Sequence, residues 1–334
     1  MVSHHSLKRG VSYFGVRNPK HVFQDMQDLK KSGFTHVLHT YSEEDLQYYR
    51  ETMKEIIDIS VDLGLSVYVN PWGVGRVFGG EAYSELVAKN PGTAQISADG
   101  TIQPAICPMS QVFIDYLMNW LDAIAETKAE TIFWDEPHFY FAKGNLNNWA
   151  CRCPNCQKLF KEAYGFQMPD NLTPEVLEFR ETTLVHFLRQ MTDAAKERQK
   201  RNTVCMLPPW FPAGIDDWNK IASLPSVDEI ASDPYQERND SSALVLKHYK
   251  ETAERLMKTA KEFNKEAQMW IKCYLIEEGR EQDVTDSVLV SYDAGIRNIF
   301  AWSYKASEYL SWLRSDNPEK AWLAYLESFK KLSV

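Results

Sequence analysis

The chain has 334 residues, of which 44% are hydrophobic, 13% aromatic and 25% charged, a composition that excludes a disordered or fibrous protein. Its 37 Lys and Arg against 46 Asp and Glu leave a formal net charge of -9 with no basic cluster, which argues against nucleic acid as a partner. No apolar run reaches the roughly 18 residues of a membrane span, and residues 1–10 lack the apolar core of a signal peptide, so the expectation is a cytoplasmic protein without membrane association.

Read in chain order, short β-rich runs at 11–16, 35–40, 66–70, 131–135, 203–207, 229–233, 269–275 and 298–303 alternate with stretches of helical periodicity. The helical stretches are 22–31, 46–63, 112–127, 176–200, 244–263 and 284–294, with a closing helix over 319–332. Gly33, Gly64 and Gly295 follow helical runs and precede strands, where a helix C-terminus favours a left-handed residue. Several strand ends run into proline and aromatics, as in Asn70-Pro71-Trp72, Asp135-Glu136-Pro137, Leu207-Pro208-Pro209-Trp210 and Asp233-Pro234-Tyr235. Proline cannot continue a ladder, so these mark strands opening into loops.

Eight strands alternating with helices predict an α/β fold with a parallel sheet. An open doubly wound sheet would carry a glycine-rich phosphate loop after the first strand, and none is present. The expectation is one (β/α)8 TIM barrel over residues 1–334. Such a barrel needs about 250 residues, and the surplus falls in long loops after strands 3 and 4.

Active sites of such barrels lie at the C-terminal strand ends. Those ends offer Trp72, then Asp135, Glu136, His138 and Tyr140, then Asp233 and Tyr235, then Lys272, Tyr274, Glu277, Glu278 and Trp302. Carboxylates serve as general acids, bases or nucleophiles, and aromatic rings stack on sugar faces, so the set points to a carbohydrate substrate. Asp135 and Glu136 follow the apolar run Thr131–Trp134, where like charge and desolvation raise a carboxyl toward the role of proton donor. Glu136 is the expected general acid/base. Asp233 is its expected partner, although Asp-Pro also starts turns. Asp135 is the expected orienter of a substrate group and Glu278 the fallback. Trp72, His138, Tyr140, Tyr235, Lys272 and Trp302 are expected to bind substrate. A Lys272 facing the barrel calls for a carboxylate partner, because a buried unpaired ammonium is costly. The carboxyl pair is expected about 5–5.5 Å apart in a retaining enzyme or about 6.5–9.5 Å in an inverting one.

Six cysteines remain. Cys151-Arg-Cys153-Pro-Asn-Cys156 puts three thiols in the loop after strand 4, and Cys107 lies in the adjacent loop after strand 3. Four thiolates close a tetrahedral structural Zn2+ site with no open position. Cys205 and Cys273 fall inside strands and read as small buried apolar residues.

This cysteine spacing resembles that of the family 42 β-galactosidases, barrel glycoside hydrolases of clan A with a four-cysteine zinc cluster. The resemblance implies that Glu136 stands where that clan places its acid/base. Here Asp135 replaces the Asn that precedes it, and the end of strand 7 offers only the displaced Glu277 and Glu278 in place of a nucleophilic Glu. An adjacent Asp-Glu pair is also similar to barrel hexosaminidases that use the substrate's acetamido group as nucleophile. A fourth-strand acid with a sixth-strand Asp is similar to the α-galactosidase clan. The sequence thus predicts a glycoside hydrolase acting on a small oligosaccharide or glycoside. A catalytically silent carbohydrate-binding barrel and a substrate-assisted N-acetylhexosaminidase are the alternatives, and a homo-oligomer is compatible with all three.

Overall fold

A computed structural model describes residues 7–142, 145–211 and 213–332. Eight parallel strands close into a barrel: β1 Lys8–Tyr13, β2 His36–Thr40, β3 Ser66–Asn70, β4 Thr131–Asp135, β5 Arg201–Met206, β6 Glu229–Ser232, β7 Glu266–Lys272 and β8 Asn298–Trp302. Each strand pairs with its sequence neighbour, and β8 closes on β1 with Lys8 opposite Asn298 and Val11 opposite Ala301. This is the TIM barrel that the alternation of strands and helices predicts. The strands are nearly all buried, because helices cover the outside and side chains fill the inside.

The surrounding helices are α1 Pro19–Lys31, α2 Arg50–Asp62, α3 Gln111–Ala125, α4 Pro174–Glu197, α5 Trp218–Ala222, α6 Ser242–Phe263, α7 Glu281–Asp293 and α8 Pro318–Ser328. Their starts follow capping chemistry. The side chains of Asn18, Thr173 and Ser241 accept from backbone N–H groups of the first turns of α1, α4 and α6, and Pro19, Pro174 and Pro318 open helices where no N–H partner is lost. Gly33, Gly64 and Gly295 adopt the positive φ expected of them.

Several elements differ from the sequence expectation, among them β7, which runs Glu266–Lys272 where 269–275 was expected. The first strand lies at Lys8–Tyr13, earlier than 11–16, because Lys8 and Arg9 pair with β8 even though neither is apolar. The 46–63 helix is two helices, Glu43–Tyr48 and α2, broken at Tyr49; Ser42 forms a capping box with Asp45 that starts the first of them. The short α5 lies in a stretch dominated by proline and aspartate, too brief to show a period.

Inside the barrel, Leu38, Tyr68, Phe133, Cys205, Trp270, Phe300 and Trp302 form their own buried cluster, with Phe14, Trp72, Tyr235 and Tyr274 packed at its upper end. Gly10 is fixed by this packing: a Cβ there would come within 2.5 Å of the Phe300 ring. At the opposite, N-terminal end, fully buried Glu229 accepts from Lys8 Nζ (2.9 Å), Thr203 Oγ1 (2.9 Å), Tyr68 Oη (3.0 Å) and Arg201 Nη2 (3.3 Å). Glu266 binds the same two cations, at 2.5 Å from Lys8 and 2.7 Å from Arg201. A buried carboxylate persists only when satisfied this fully.

The long loops after β3 and β4 each fold into a small hairpin, Ala94–Ile96 with Ile102–Ile106 and Phe141–Ala142 with Asn145–Trp149. The two are joined through Ser97 and Ala150, Ala98 N to Trp149 O (2.9 Å) and Arg152 N to Ile96 O (2.7 Å). A helix, Pro154–Tyr164, follows.

Candidate active site

The C-terminal mouth opens into a cleft of about 930 Å3 lined by Glu136, His138, Asp233, Tyr235, Lys272 and Tyr274, among others. Beneath it a smaller recess of about 90 Å3 is lined by Asp135, Glu136, Asp233 and Glu81 above Phe133, Cys205, Trp270 and Trp302. Carboxylates from β4, β6 and the β3 loop therefore meet over the aromatic top of the barrel core.

Glu136 is the first residue beyond β4, and its backbone takes a left-handed conformation (φ +41°) uncommon for a side chain of this size. It is half-buried and lines both the cleft and the recess. Asp233, the first residue beyond β6, is buried, and its carboxyl lies within hydrogen-bonding reach of Glu136. Burial and then the Glu136 charge push Asp233 well above the usual carboxylate range. Two carboxyls this close hold a proton between them. This contact is closer than both the about 5–5.5 Å of a retaining pair and the about 6.5–9.5 Å of an inverting one, so either mechanism requires a substrate to part the two carboxyls. Cys205, from β5, directs its thiol at Asp233 Oδ1 (3.7 Å); burial keeps that thiol protonated.

Asp135 is buried beside the pair and accepts from Asn70 Nδ2 at 3.2 Å. Burial, Glu136 and Glu81, in that order, raise it as well. The space for these carboxyls depends on Gly79. A Cβ at that position would lie 2.7 Å from Glu136 Oε2 and 3.1 Å from Asp135 Oδ2, and the Gly79 N–H binds the Asp135 carbonyl (2.9 Å). Burial also keeps the Tyr235 and Tyr274 phenols protonated, so both can donate to a ligand.

The other expected site residues divide. His138 lines the cleft, with Nδ1 2.6 Å from the Glu136 carbonyl, and burial lowers its pKa. Trp302 forms part of the floor. Lys272 lines the cleft, but its ammonium donates to the Gln236 carbonyl (2.8 Å) and lies 5.3 Å from the Tyr274 ring centre, not against a carboxylate. Burial lowers its pKa to about 8, while Glu237, Glu277 and Asp240 pull the other way. Three placements correct the expectation. Glu278 is exposed and outside the cleft, because Leu275 turns the chain at φ +47° and it is Glu277 that lines the rim, 3.2 Å from Arg238. Tyr140 packs against the barrel-to-helix core instead of the cleft. Trp72 faces a neighbouring groove, its indole N–H bound to Glu81 (3.1 Å). Glu81 and Arg76 were not singled out from sequence; the signal was the Gly79-Gly80 pair directly ahead of an acid in the loop after β3.

Asp135 and Asp233 carry a testable electrostatic load. An acid whose folded pKa is raised ionises first in the unfolded chain, so its cost appears as pH rises above about 4 and is absent below it. Asp233→Asn is therefore expected to raise the melting temperature at pH 7.5 by about 2 °C, corresponding to about 1 kcal/mol, with no gain at pH 3.5. Thermal melts at the two pH values measure this, and an equal gain at both would contradict the assignment.

Away from the mouth, Cys107, Cys151, Cys153 and Cys156 are all buried, and their sulfurs lie within 4.8 Å of one another, close enough to hold a metal ion. The backbone N–H groups of Cys153 and Cys156 point at the sulfurs of Cys151 (3.4 Å) and Cys153 (3.5 Å). Buried Arg180 donates to the Ala150 carbonyl (2.7 Å) next to Cys151. Burial pushes its guanidinium down to about 10, with Cys151 opposing.

No family model matches the chain, and no curated protein matches it by sequence. Solved structures share the fold. The endo-1,4-β-mannanase from Rhizomucor miehei aligns with a TM-score of 0.66 at 12% identity over 99% of this chain and 97% of that one. The β-galactosidase from Bacillus circulans sp. alkalophilus aligns with a TM-score of 0.64 at 13% identity over 89% of this chain, which spans half of that enzyme's length. A GH5_18 protein from Streptomyces cattleya, solved in complex with GlcNAc, aligns at 0.60 and 14% identity over 98% of this chain and 81% of that one. These neighbours are glycoside hydrolase barrels.

Proposed function

We propose that the chain is a glycoside hydrolase acting on a small oligosaccharide or glycoside, with Glu136 as general acid/base and Asp233 as its partner. The observation that carries this reading is the contact of those two carboxyls, from strand ends with only β5 between them, above an aromatic floor. The shared proton passes from Asp233 to Glu136 as a substrate parts them. Glu136 then gives it to the glycosidic oxygen, which leaves with the electron pair of the broken C–O bond, and the freed Asp233 carboxylate bonds to the anomeric carbon. Water, losing a proton to Glu136, cleaves that bond and restores the pair. Tyr235 and Tyr274 hold sugar hydroxyls, and Lys272 anchors the outer part of the cleft.

A second reading is favoured by Asp135. Fixed by Asn70 beside Glu136, it is placed to orient an acetamido group, which would then attack in place of Asp233. A panel of nitrophenyl glycosides that includes N-acetylhexosaminides tests both. Turnover confined to N-acetylhexosaminides selects the second reading, and turnover of none leaves a carbohydrate-binding barrel.

The four cysteines fit zinc, and we assign them to it. A tetrahedral Zn–S distance of about 2.3 Å needs sulfurs about 3.8 Å apart. The cluster has that scale, with Cys107 and Cys156 at 3.5 Å, and it has N–H donors for thiolates and a buried cation nearby. When bound, zinc would supply cross-linking and no catalysis, since four thiolates leave no open position. The mechanical link to the site is short. Cys107 follows the first hairpin, whose Gln95 accepts from Tyr140 N (2.9 Å), and Tyr140 lies four residues beyond Glu136.

A further inference from the structure

Beside the cleft runs a second groove of about 460 Å3, whose lining includes Arg17, Glu44, Gln47, Tyr48, Trp72 and Tyr83. Its aromatic side chains are unusually open: Tyr83 is 93% exposed, Tyr48 68% and the adjoining Tyr49 36%. Large rings left in water at this density mark a contact surface more often than chance does.

The groove is built on fixed parts. Arg17 forms a two-pronged ion pair with buried Asp45, Nη2 to Oδ2 at 2.6 Å, and Asp45 also caps Ser42. Glu43 accepts from Gly75 N and Glu85 N, both at 2.9 Å, and so ties the helix carrying Tyr48 to the loop carrying Tyr83. Only a narrow strip of chain parts the groove from the reacting carboxyls: Gly80 and Glu81 line the cleft side, Ala82 and Tyr83 the groove side. Arg76, from the cleft, reaches the carbonyls of Gly80 and Ala82 at 3.4 Å each. Trp72 joins the two sides. Its N–H holds Glu81, and its ring packs on Phe14 (5.4 Å), which stacks on Trp302 in the recess floor (5.0 Å, 16°).

We infer that this groove is a second carbohydrate subsite, in which Tyr48, Tyr83 and Trp72 carry the outer units of a sugar chain whose inner unit lies over Glu136 and Asp233. The identity of the ligand rests on the glycosidase reading. The lining suits sugar better than an apolar partner, because carboxylate, amide and guanidinium groups alternate with the rings. The consequence is a substrate longer than the cleft alone requires.

The test uses β-1,4-linked manno- and chito-oligosaccharides of two to six units, titrated by calorimetry into Glu136→Gln protein with and without Tyr48→Ala and Tyr83→Ala together. Both tyrosines are exposed, so the melting temperature should not move, and a melt checks it. The expected result is that affinity tightens with length in one series and that the double tyrosine substitution weakens hexasaccharide binding about tenfold, the disaccharide less than about twofold. Length-independent affinity, or equal loss for both lengths, overturns the inference. Binding of neither series overturns it too and leaves the groove to a protein partner. The readout is separate from turnover: a wild-type protein that cleaves nothing yet shows the length-dependent loss keeps the groove and rejects the hydrolase. Turnover with length-independent affinity does the reverse.

Discussion

Glu136→Gln is expected to bind sugar normally and to lose turnover by about 10²–10⁴-fold. The amide matches the carboxyl in size, keeps its place in the recess and can still hydrogen-bond to Asp233, but it cannot carry the proton to the glycosidic oxygen. The defect should shrink for dinitrophenyl glycosides, whose leaving group departs with little protonation, as long as the first step limits the rate. Steady-state rates on paired nitrophenyl and dinitrophenyl substrates, with calorimetry on the same protein, measure the two halves. Loss of binding in step with turnover, or an equal defect for both leaving groups, would sink the acid/base assignment. The left-handed backbone of Glu136 costs on the order of 1–2 kcal/mol for an L-residue. Glutamine inherits that cost unchanged, so the stability change expected is a small gain at neutral pH from removing the Glu136 charge beside Asp135 and Asp233.

Protein purified without chelator is expected to hold about one zinc per chain, and the Cys151→Ala/Cys153→Ala pair none. Zinc–thiolate sites contribute on the order of 10 kcal/mol in small peptides, part of it offset at neutral pH by proton release. Its removal here should lower the melting temperature by at least about 5 °C, a fall equivalent to a few kcal/mol. Well below the transition, turnover should fall much less, because the cross-link acts on Glu136 only through the hairpin, Gln95 and Tyr140. Metal analysis and melts with and without chelator decide it. Sub-stoichiometric metal, or full retention in the double variant, would contradict the assignment.

The barrel was legible because its signals are local and repeated: eight β-rich runs, seven stretches of helical period among and after them, and a glycine at three of the joints. Asp135, Glu136 and Asp233 were legible for the same reason, since a strand's end names the residues at the mouth. Legibility failed where the chain leaves the strands. Glu278 and Tyr140 lie only a few residues beyond strand ends, but one positive-φ turn at Leu275 and the pull of the apolar core redirect them, and neither event has a sequence period. Glu81 comes to the mouth along a loop. Its approach depends on the missing side chains of Gly79 and Gly80; a Cβ on Gly80 would meet the Trp72 ring at 1.9 Å. Lys272 was expected to need a carboxylate, yet a carbonyl and a ring suffice for an ammonium that can give up its proton near pH 8. The cysteine cluster was read from spacing alone, since four soft ligands in two adjacent loops have few other uses.

The network at the closed end of the barrel gives acid two opposite effects on one molecule. Glu266 is pushed up by burial but held below its ordinary range by Lys8 and Arg201, so the stability it lends is complete above about pH 4.3 and drains away as pH falls through its lower folded value. At the mouth, acid removes the cost of charging Asp135 and Asp233. Strand β6 spans both regimes, starting at the ion-paired Glu229 and handing over to the proton-bearing Asp233 four positions later. Lowering the pH thus slackens the Glu266 links at the closed end of the barrel while it eases the top of β6. An acid-adapted form of this protein would be obtained by re-engineering the salt links around Lys8, leaving the carboxyls at the mouth as they are.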